Sequence, residues 1–238
     1  MTGPSDDARA RMNQMYRHQR RIYDVTRRYY LLGRTTLIDA LRPPAQGTIL
    51  EVGCGTAANL IDAAKRYPTA RLHGFDISTE MLVTARQSVT RHGLAHRIAL
   101  TTGDATAFDA ETMFGMKHYD RIFTSYTLSM IRNWPQVLDA MARHLTPGGS
   151  MHVVDFGDCA HLPHLARKLL HGWLGTFDVT PRQDLDVALR ECANVHDLEL
   201  AFSPLFRGYA QLGVLTRARS HRVLRGQMLV NIGLAKQR

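Results

Sequence analysis

The residues best placed to do chemistry lie in ILEVGCGTAANL, residues 49 to 60, where an apolar strand runs into Gly53 and Gly55 and straight on into a helix. Glycines at such a turn let the backbone bend sharply and let a ligand approach with no Cβ in the way. The spacing argues against a dinucleotide. That fingerprint needs a third glycine where this chain has Ala58. Glu51, at the mouth of the strand, would repel a pyrophosphate and suit a cationic ligand. Asp76 closes the next apolar run 23 residues after Gly53 (76 − 53), near the offset at which an acid can take up ribose hydroxyls. Asp104, in GDATAF, closes the run after that.

Short apolar runs and helical stretches must alternate to bring these positions together. TILEVG, RLHGFDI, RIALTTGD, YDRIFTSYTL and GGSMHVVDFG read as five strands, with helices over 57–66, 78–92 and PQVLDAMARHL between them. Such β-α alternation is the signature of a parallel sheet with helices on both faces. LELAFSPLF and GYAQLGVLTRA read as two closing strands, possible partners in a hairpin. Helices are expected over 162–175 and in TPRQDLDVALREC, with Thr180 as cap and Pro181 in its first turn. Apolar and aromatic residues at helical spacing predict one or two helices over 9–41, broken at Gly33. The chain divides into a basic, aromatic N-terminal lid and membrane-contact segment (1–44), a catalytic domain (45–216, with a helical insert over 160–192) and a basic tail (217–238).

The chain has 238 residues, ample for one elaborated domain, and ordinary hydrophobic (45%) and charged (21%) contents argue against disorder. Its net charge of +9 argues for an anionic partner, either nucleic acid or acidic lipid. No apolar run approaches a membrane span and the N-terminus lacks a signal-like stretch, so the expected location is cytoplasmic. Cys54, Cys159 and Cys192 are far apart and form no CxxC, which predicts free thiols with no disulfide and no zinc. His161, His164 and His171 in HLPHLARKLLH lack a fourth ligand and read as polar faces of a helix.

The acid-glycine opening, with Asp76, Asp104, YDRIFTSYTL and LTPGGSMHVVDF in order after it, resembles the class I S-adenosylmethionine-dependent methyltransferases over about residues 45 to 160. The resemblance implies a Rossmann-like, seven-stranded, mostly parallel sheet with helices on both faces, preceded by a helical lid. It also implies S-adenosyl-L-methionine as cofactor. Glu51 would face the methionine moiety, and Gly53, Cys54, Gly55 and Thr56 would form the turn beneath it. Asp76, Ile77 and Met81 would lie along the ribose, and Asp104, Ala105 and Thr106 against the adenine.

No DPPY or NPPY tetrad follows the fourth strand; the chain reads SYTL there, which weakens an adenine or glutamine N-methylating reading. Three flanking stretches, YRHQRRIYDVTRRYYLLGR, FDVTPRQDL and PLFRGYAQLGVL, are similar to the bacterial enzymes that trimethylate diacylglyceryl-homoserine to a betaine lipid. Relatives that methylate phosphatidylethanolamine share the core. This likeness implies a diacylglyceryl lipid substrate and an anionic membrane surface as partner, with no nucleic acid. Ser125 and Tyr126 would orient the amine. Tyr23 would fold over the cofactor or else pack its helix on the core. Arg34 would meet the cofactor carboxylate, a lipid phosphate or a surface acid. Arg182, Arg207 and Tyr209 would recognise the homoserine carboxylate.

Overall fold

The computed structural model describes residues 31–158 and 180–219. Within them lie α1 (Arg34–Leu41), β1 (Thr48–Val52), α2 (Ala58–Arg66), β2 (Arg71–Asp76), α3 (Thr79–Arg91), β3 (Ile98–Thr102) and α4 (Ala110–Phe114). There follow β4 (Tyr119–Ser125), α5 (Trp134–Arg143), β5 (Leu145–Phe156), α6 (Leu185–His196), β6 (Leu198–Leu205) and β7 (Ala210–Arg217). The seven strands form one sheet in the order β3-β2-β1-β4-β5-β7-β6. All pairs are parallel except those of β7, which runs antiparallel to both β5 and β6. The expected seven-stranded Rossmann-like architecture and the closing hairpin are therefore present.

Side chains that alternate along each strand fill two separate cores. Ile49, Leu72, Ile98, Phe123 and Val154 pack under α1, α2 and α3. Leu50, Val52, Phe75, Ile122 and Met151 pack under α4, α5 and α6. Burying such a side chain is worth about 1.5–3 kcal/mol, so a one-residue register slip in a central strand would forfeit both cores at once. In α1, Leu37, Ile38 and Leu41 recur on one face and are at most 5% exposed, so residues 34–41 of the expected lid segment belong to the first core. Among the described residues no helix is long and apolar enough to cross a membrane.

Three expectations need correcting. The strand expected from Gly148 begins at Leu145, because Leu145 pairs with Tyr119 and Ser150 with Arg121, leaving the Thr-Pro-Gly-Gly turn as a bulge inside β5. The helix expected from Thr180 and Pro181 begins at Leu185 after Asp184. Thr180 N–H instead donates to Ser129 O, and the Arg182 side chain is drawn onto the same turn, so the segment is held out of a helix. The short α4 was not foreseen; it buries only Ala110 and starts where the Asp109 side chain accepts from Glu111 N–H. Tyr23, the 162–175 helix, the histidines at 161, 164 and 171, Cys159 and the tail beyond 219 lie outside the described residues.

Candidate active site

Strand order reverses at β1, which lies between β2 and β4, and the crevice at the carboxyl ends of such strands is where open α/β sheets take their ligands. The β1 turn there is built around Gly53. Its φ is +73°, and a Cβ would come within 2.3 Å of the Thr127 side chain, so only glycine fits. The amides of Gly53 and Cys54 both donate to Phe75 O, at 3.0 and 2.9 Å, tying the turn to β2. Asp76 fixes the same turn from its other side. Its Oδ2 accepts from Gly55 N–H at 2.8 Å and its Oδ1 from Ser78 N–H at 2.9 Å.

Glu51 is buried, and its Oε1 accepts from Asn59 Nδ2 at 2.7 Å. Asn59 Oδ1 in turn accepts from Arg34 Nε at 2.6 Å, so a relay of acid, amide and guanidinium links β1 to α2 and α1. Asn59 was not singled out in the sequence, where an asparagine in the first turn of a helix looks like a surface residue. A cavity of about 460 Å³ opens over this relay, with Arg34, Glu51, Gly53, Cys54, Asn59 and Ser125 in its lining. Burial, then the Asp76 and Glu51 carboxylates, pushes the Cys54 thiol well up. The thiol therefore stays protonated and is no nucleophile. The same two carboxylates make the turn electronegative in a buried setting, which favours a cation and opposes a pyrophosphate.

The other predicted cofactor residues stand at neighbouring strand ends. Thr56 is half-buried in the cavity lining. Ile77 is half-buried and Met81 is buried beyond β2, where the Ser78 hydroxyl accepts from Met81 N–H at 3.3 Å and caps α3. Asp104 follows β3, and its Oδ1 accepts from the amide and the hydroxyl of Thr106 at 2.9 and 2.7 Å, with Ala105 buried between them. Asp76, Ile77, Met81, Asp104, Ala105 and Thr106 do not line the cavity over β1; they stand at the ends of β2 and β3 beside it.

Ser125 ends β4. Its Oγ is buried with no hydrogen-bond partner among the described residues, a group for which a polar ligand atom in the cavity would supply one. Tyr126 has φ +56°, sets its ring edge-on against Phe156 at 4.5 Å and donates its hydroxyl to Leu32 O. That contact ties the N-terminal approach to the β4 tip. Behind it lies a buried cluster. Asp155 is fully buried and accepts from Ser129 N–H at 3.1 Å and from Phe156 N–H at 2.8 Å. Burial pushes its carboxyl up to about 6, although both amides and the Arg182 guanidinium pull the other way.

Arg182, expected at the substrate carboxylate, donates to the carbonyls of Leu128, Ser129 and Ile131 at 3.1, 3.4 and 2.7 Å. Its guanidinium thus braces the turn after β4. Arg207 is exposed at φ +58°, and half-buried Tyr209 packs edge-on against Phe156. Tyr126, Phe156 and Tyr209 therefore form one aromatic row beside Ser125, whereas Arg207 stands apart from the cavity lining.

Buried acids beneath a glycine cradle, with an open cavity and an unsatisfied hydroxyl at the next strand, fit a small ligand with a cationic centre and polar ends. Comparison with known proteins agrees. Residues 49–149 match the family described as "Methyltransferase domain". The chain is 32% identical over 152 residues to a ubiquinone/menaquinone biosynthesis C-methyltransferase of Dinoroseobacter shibae, covering 62% of this chain and 56% of the relative. It is 28% identical over 110 residues to the malonyl-[acyl-carrier protein] O-methyltransferase of Priestia megaterium, covering 46% and 37%. The chain thus spans little more than half the length of the first of these relatives and less of the second.

Among solved structures, phosphoethanolamine N-methyltransferase 2 of Haemonchus contortus, in complex with S-adenosyl-L-methionine, has a TM-score of 0.62 at 14% identity. That match covers 78% of this chain and 52% of the other. A putative methyltransferase in complex with the Trm112 activator of Haloferax volcanii gives 0.68 at 14%, covering 89% and 99%. These two likenesses establish the fold. Residues 49–149 are a class I S-adenosylmethionine-dependent methyltransferase domain.

Proposed function

We propose that the protein N-methylates the amine of a lipid head group, trimethylating diacylglyceryl-homoserine to the betaine lipid while resting on an anionic membrane surface. The observation that carries this reading is Ser125 Oγ, a buried hydroxyl without a partner among the described residues, at the tip of β4 and in the lining of the Glu51 cavity. A hydroxyl there can accept from an amine N–H and aim its lone pair. An amine needs only to arrive deprotonated, whereas an oxygen acceptor wants a base. Cys54 is held protonated and Glu51 already accepts from Asn59, so the amine reading asks least of these residues.

When bound, S-adenosylmethionine supplies an activated methyl group on a sulfonium, and the protein's work is alignment and exclusion of water. Glu51 and Arg34, joined through Asn59, would hold the ammonium and carboxylate of the methionine end. Asp76 and Asp104 would hold the ribose and adenine, with Ile77, Met81, Ala105 and Thr106 beside them. Gly53, Cys54, Gly55 and Thr56 would form the floor. Tyr126 would wall the acceptor side, with Tyr23 closing from the N-terminal segment. Tyr209 could flank the acceptor along the aromatic row, and Arg207 could meet the head-group carboxylate from outside. Arg182 would act through the turn it braces.

The basic N-terminal stretch supports the membrane reading, because each cation near anionic lipid contributes about 1 kcal/mol. Nucleic acid would suit the net charge equally, but the flanking likeness favours lipid. A second reading, C-methylation of a membrane quinone, is favoured by the similarity to the Dinoroseobacter relative. Phosphatidylethanolamine and small-molecule amines are the remaining alternatives.

The test is expression in a host that lacks betaine lipids, with and without an enzyme that supplies diacylglyceryl-homoserine, followed by lipid mass spectrometry. Mono-, di- and trimethylated products only in the supplied strain are expected. Unchanged diacylglyceryl-homoserine together with newly methylated quinone would replace this reading with the second.

A further inference from the structure

On the face of the sheet opposite α2, helices α5 and α6 pack side by side and bring Asp139, Cys192 and His196 together. Cys192 and His196 are four residues apart on α6, so one helical turn stacks them on the same face. Asp139 meets them from α5. His196 Nε2 lies 3.1 Å from Asp139 Oδ1, and one ligand atom from each of the three residues lies within 4.8 Å of the other two. We propose that Asp139, Cys192 and His196 bind one divalent transition-metal cation of the zinc type, with solvent as fourth ligand, and so clamp α5 to α6.

The donor set selects the ion. Thiolate and imidazole favour zinc or cobalt, whereas magnesium and calcium want oxygen ligands throughout. Bonds of about 2.0 to 2.3 Å to a tetrahedral centre leave ligand atoms about 3.3 to 3.7 Å apart, so the trio needs side-chain rotations of only about an ångström. Burial differs across the trio in the way such a site needs. Cys192 is 5% exposed, while the His196 and Asp139 side chains are 16% and 48% exposed, which leaves a way in and room for water.

An ion pair between His196 and Asp139 explains two of the three residues and core packing would explain the third, the Cys192 thiol, so the proposal rests on the convergence of all three ligand atoms at one point. Burial and the Asp139 charge push that thiol up to about 12, so it carries its proton until a cation arrives. Binding then forms a metal–sulfur bond, breaks the S–H bond and releases that proton to solvent.

Titration of the intact, metal-free chain with Co²⁺ tests the site. One equivalent should give a near-ultraviolet thiolate-to-cobalt charge-transfer band and tetrahedral visible bands, both removed by Zn²⁺. Cys192→Ser should abolish the charge-transfer band, and His196→Gln and Asp139→Asn should each weaken binding at least tenfold. Affinity for S-adenosylhomocysteine should not change in any of the three. Should Cys192→Ser fail to fold, the two half-exposed positions decide the matter alone. Absence of the charge-transfer band at saturating Co²⁺, its survival in Cys192→Ser, or unchanged affinity in both other variants would overturn the proposal.

Discussion

At the β1 end of the crevice, Glu51, Asn59 and Asp76 come from one strand-turn-helix-strand unit, and Arg34 alone reaches in from α1. At the β4 and β5 end, the turn 128–131 is held by Asp155 from β5 and Arg182 from the approach to α6, residues far apart in sequence. The first region presents charge to a cavity. The second spends its charge on the backbone and, among the described residues, leaves the Ser125 hydroxyl at the cavity wall unsatisfied. A site for an invariant cofactor can be written into a local motif. A site for a variable acceptor is framed by a braced loop whose supports can come from anywhere in the fold.

The comparison predicts distinct failures, and the largest concerns Asp155. Its carboxyl is raised in the folded protein from 3.8 to about 6, so its contribution to stability is full below about pH 4 and is lost as pH rises through about 6. Relative to Asp155→Asn, the wild-type chain should lose about 3 kcal/mol across that window in urea unfolding. A flat difference would mean the acid is not desolvated as described. Next in size, Gly53→Ala must adopt φ +73° against Thr127, which costs about 2 kcal/mol or more. S-adenosylhomocysteine affinity measured by calorimetry should fall at least about thirtyfold.

Arg182→Ala probes the other region. It leaves three carbonyls without their guanidinium and should lower stability by about 1–3 kcal/mol, with cofactor affinity unchanged. Arg182→Lys should not restore the loss, since an ammonium lacks the planar fork. Equal loss of cofactor affinity would mean that the two regions are one cooperative unit. Asn59→Ala should have the smallest effect on binding, about 1 kcal/mol or fivefold in cofactor affinity, with a loss of about 1 kcal/mol in urea stability because the buried Glu51 carboxylate loses its amide donor.

The sequence made the β1 region legible because each acid follows an apolar run by fixed spacing, and parallel topology places all such run-ends on one edge. Asn59 escaped notice, although its place eight residues after Glu51, in the first turn of α2, sets it over the acid. On the acceptor side, Arg182 was visible as an arginine in a family-like stretch, but its partners are backbone carbonyls, which leave no mark in side-chain patterns. Thr180 and Pro181 carry a helix-start signal that tertiary contacts with Ser129 override. Asp155 drew no notice inside the run GGSMHVVDFG; only the packed fold shows that it is buried. The bulge in β5 follows the same logic, because pairing with Tyr119 extends the strand through a turn signal.

The central claim is that the glycine turn and its acids bind S-adenosylmethionine in this chain. Titrating S-adenosylhomocysteine into the folded protein, beside Asp76→Ala, tests it most directly, because Asp76 anchors both Gly55 and Ser78 amides at this turn. Saturable heat at one equivalent, with affinity at least tenfold weaker in Asp76→Ala, is the predicted result. No heat in folded wild-type protein, or equal affinity in the two proteins, would contradict it.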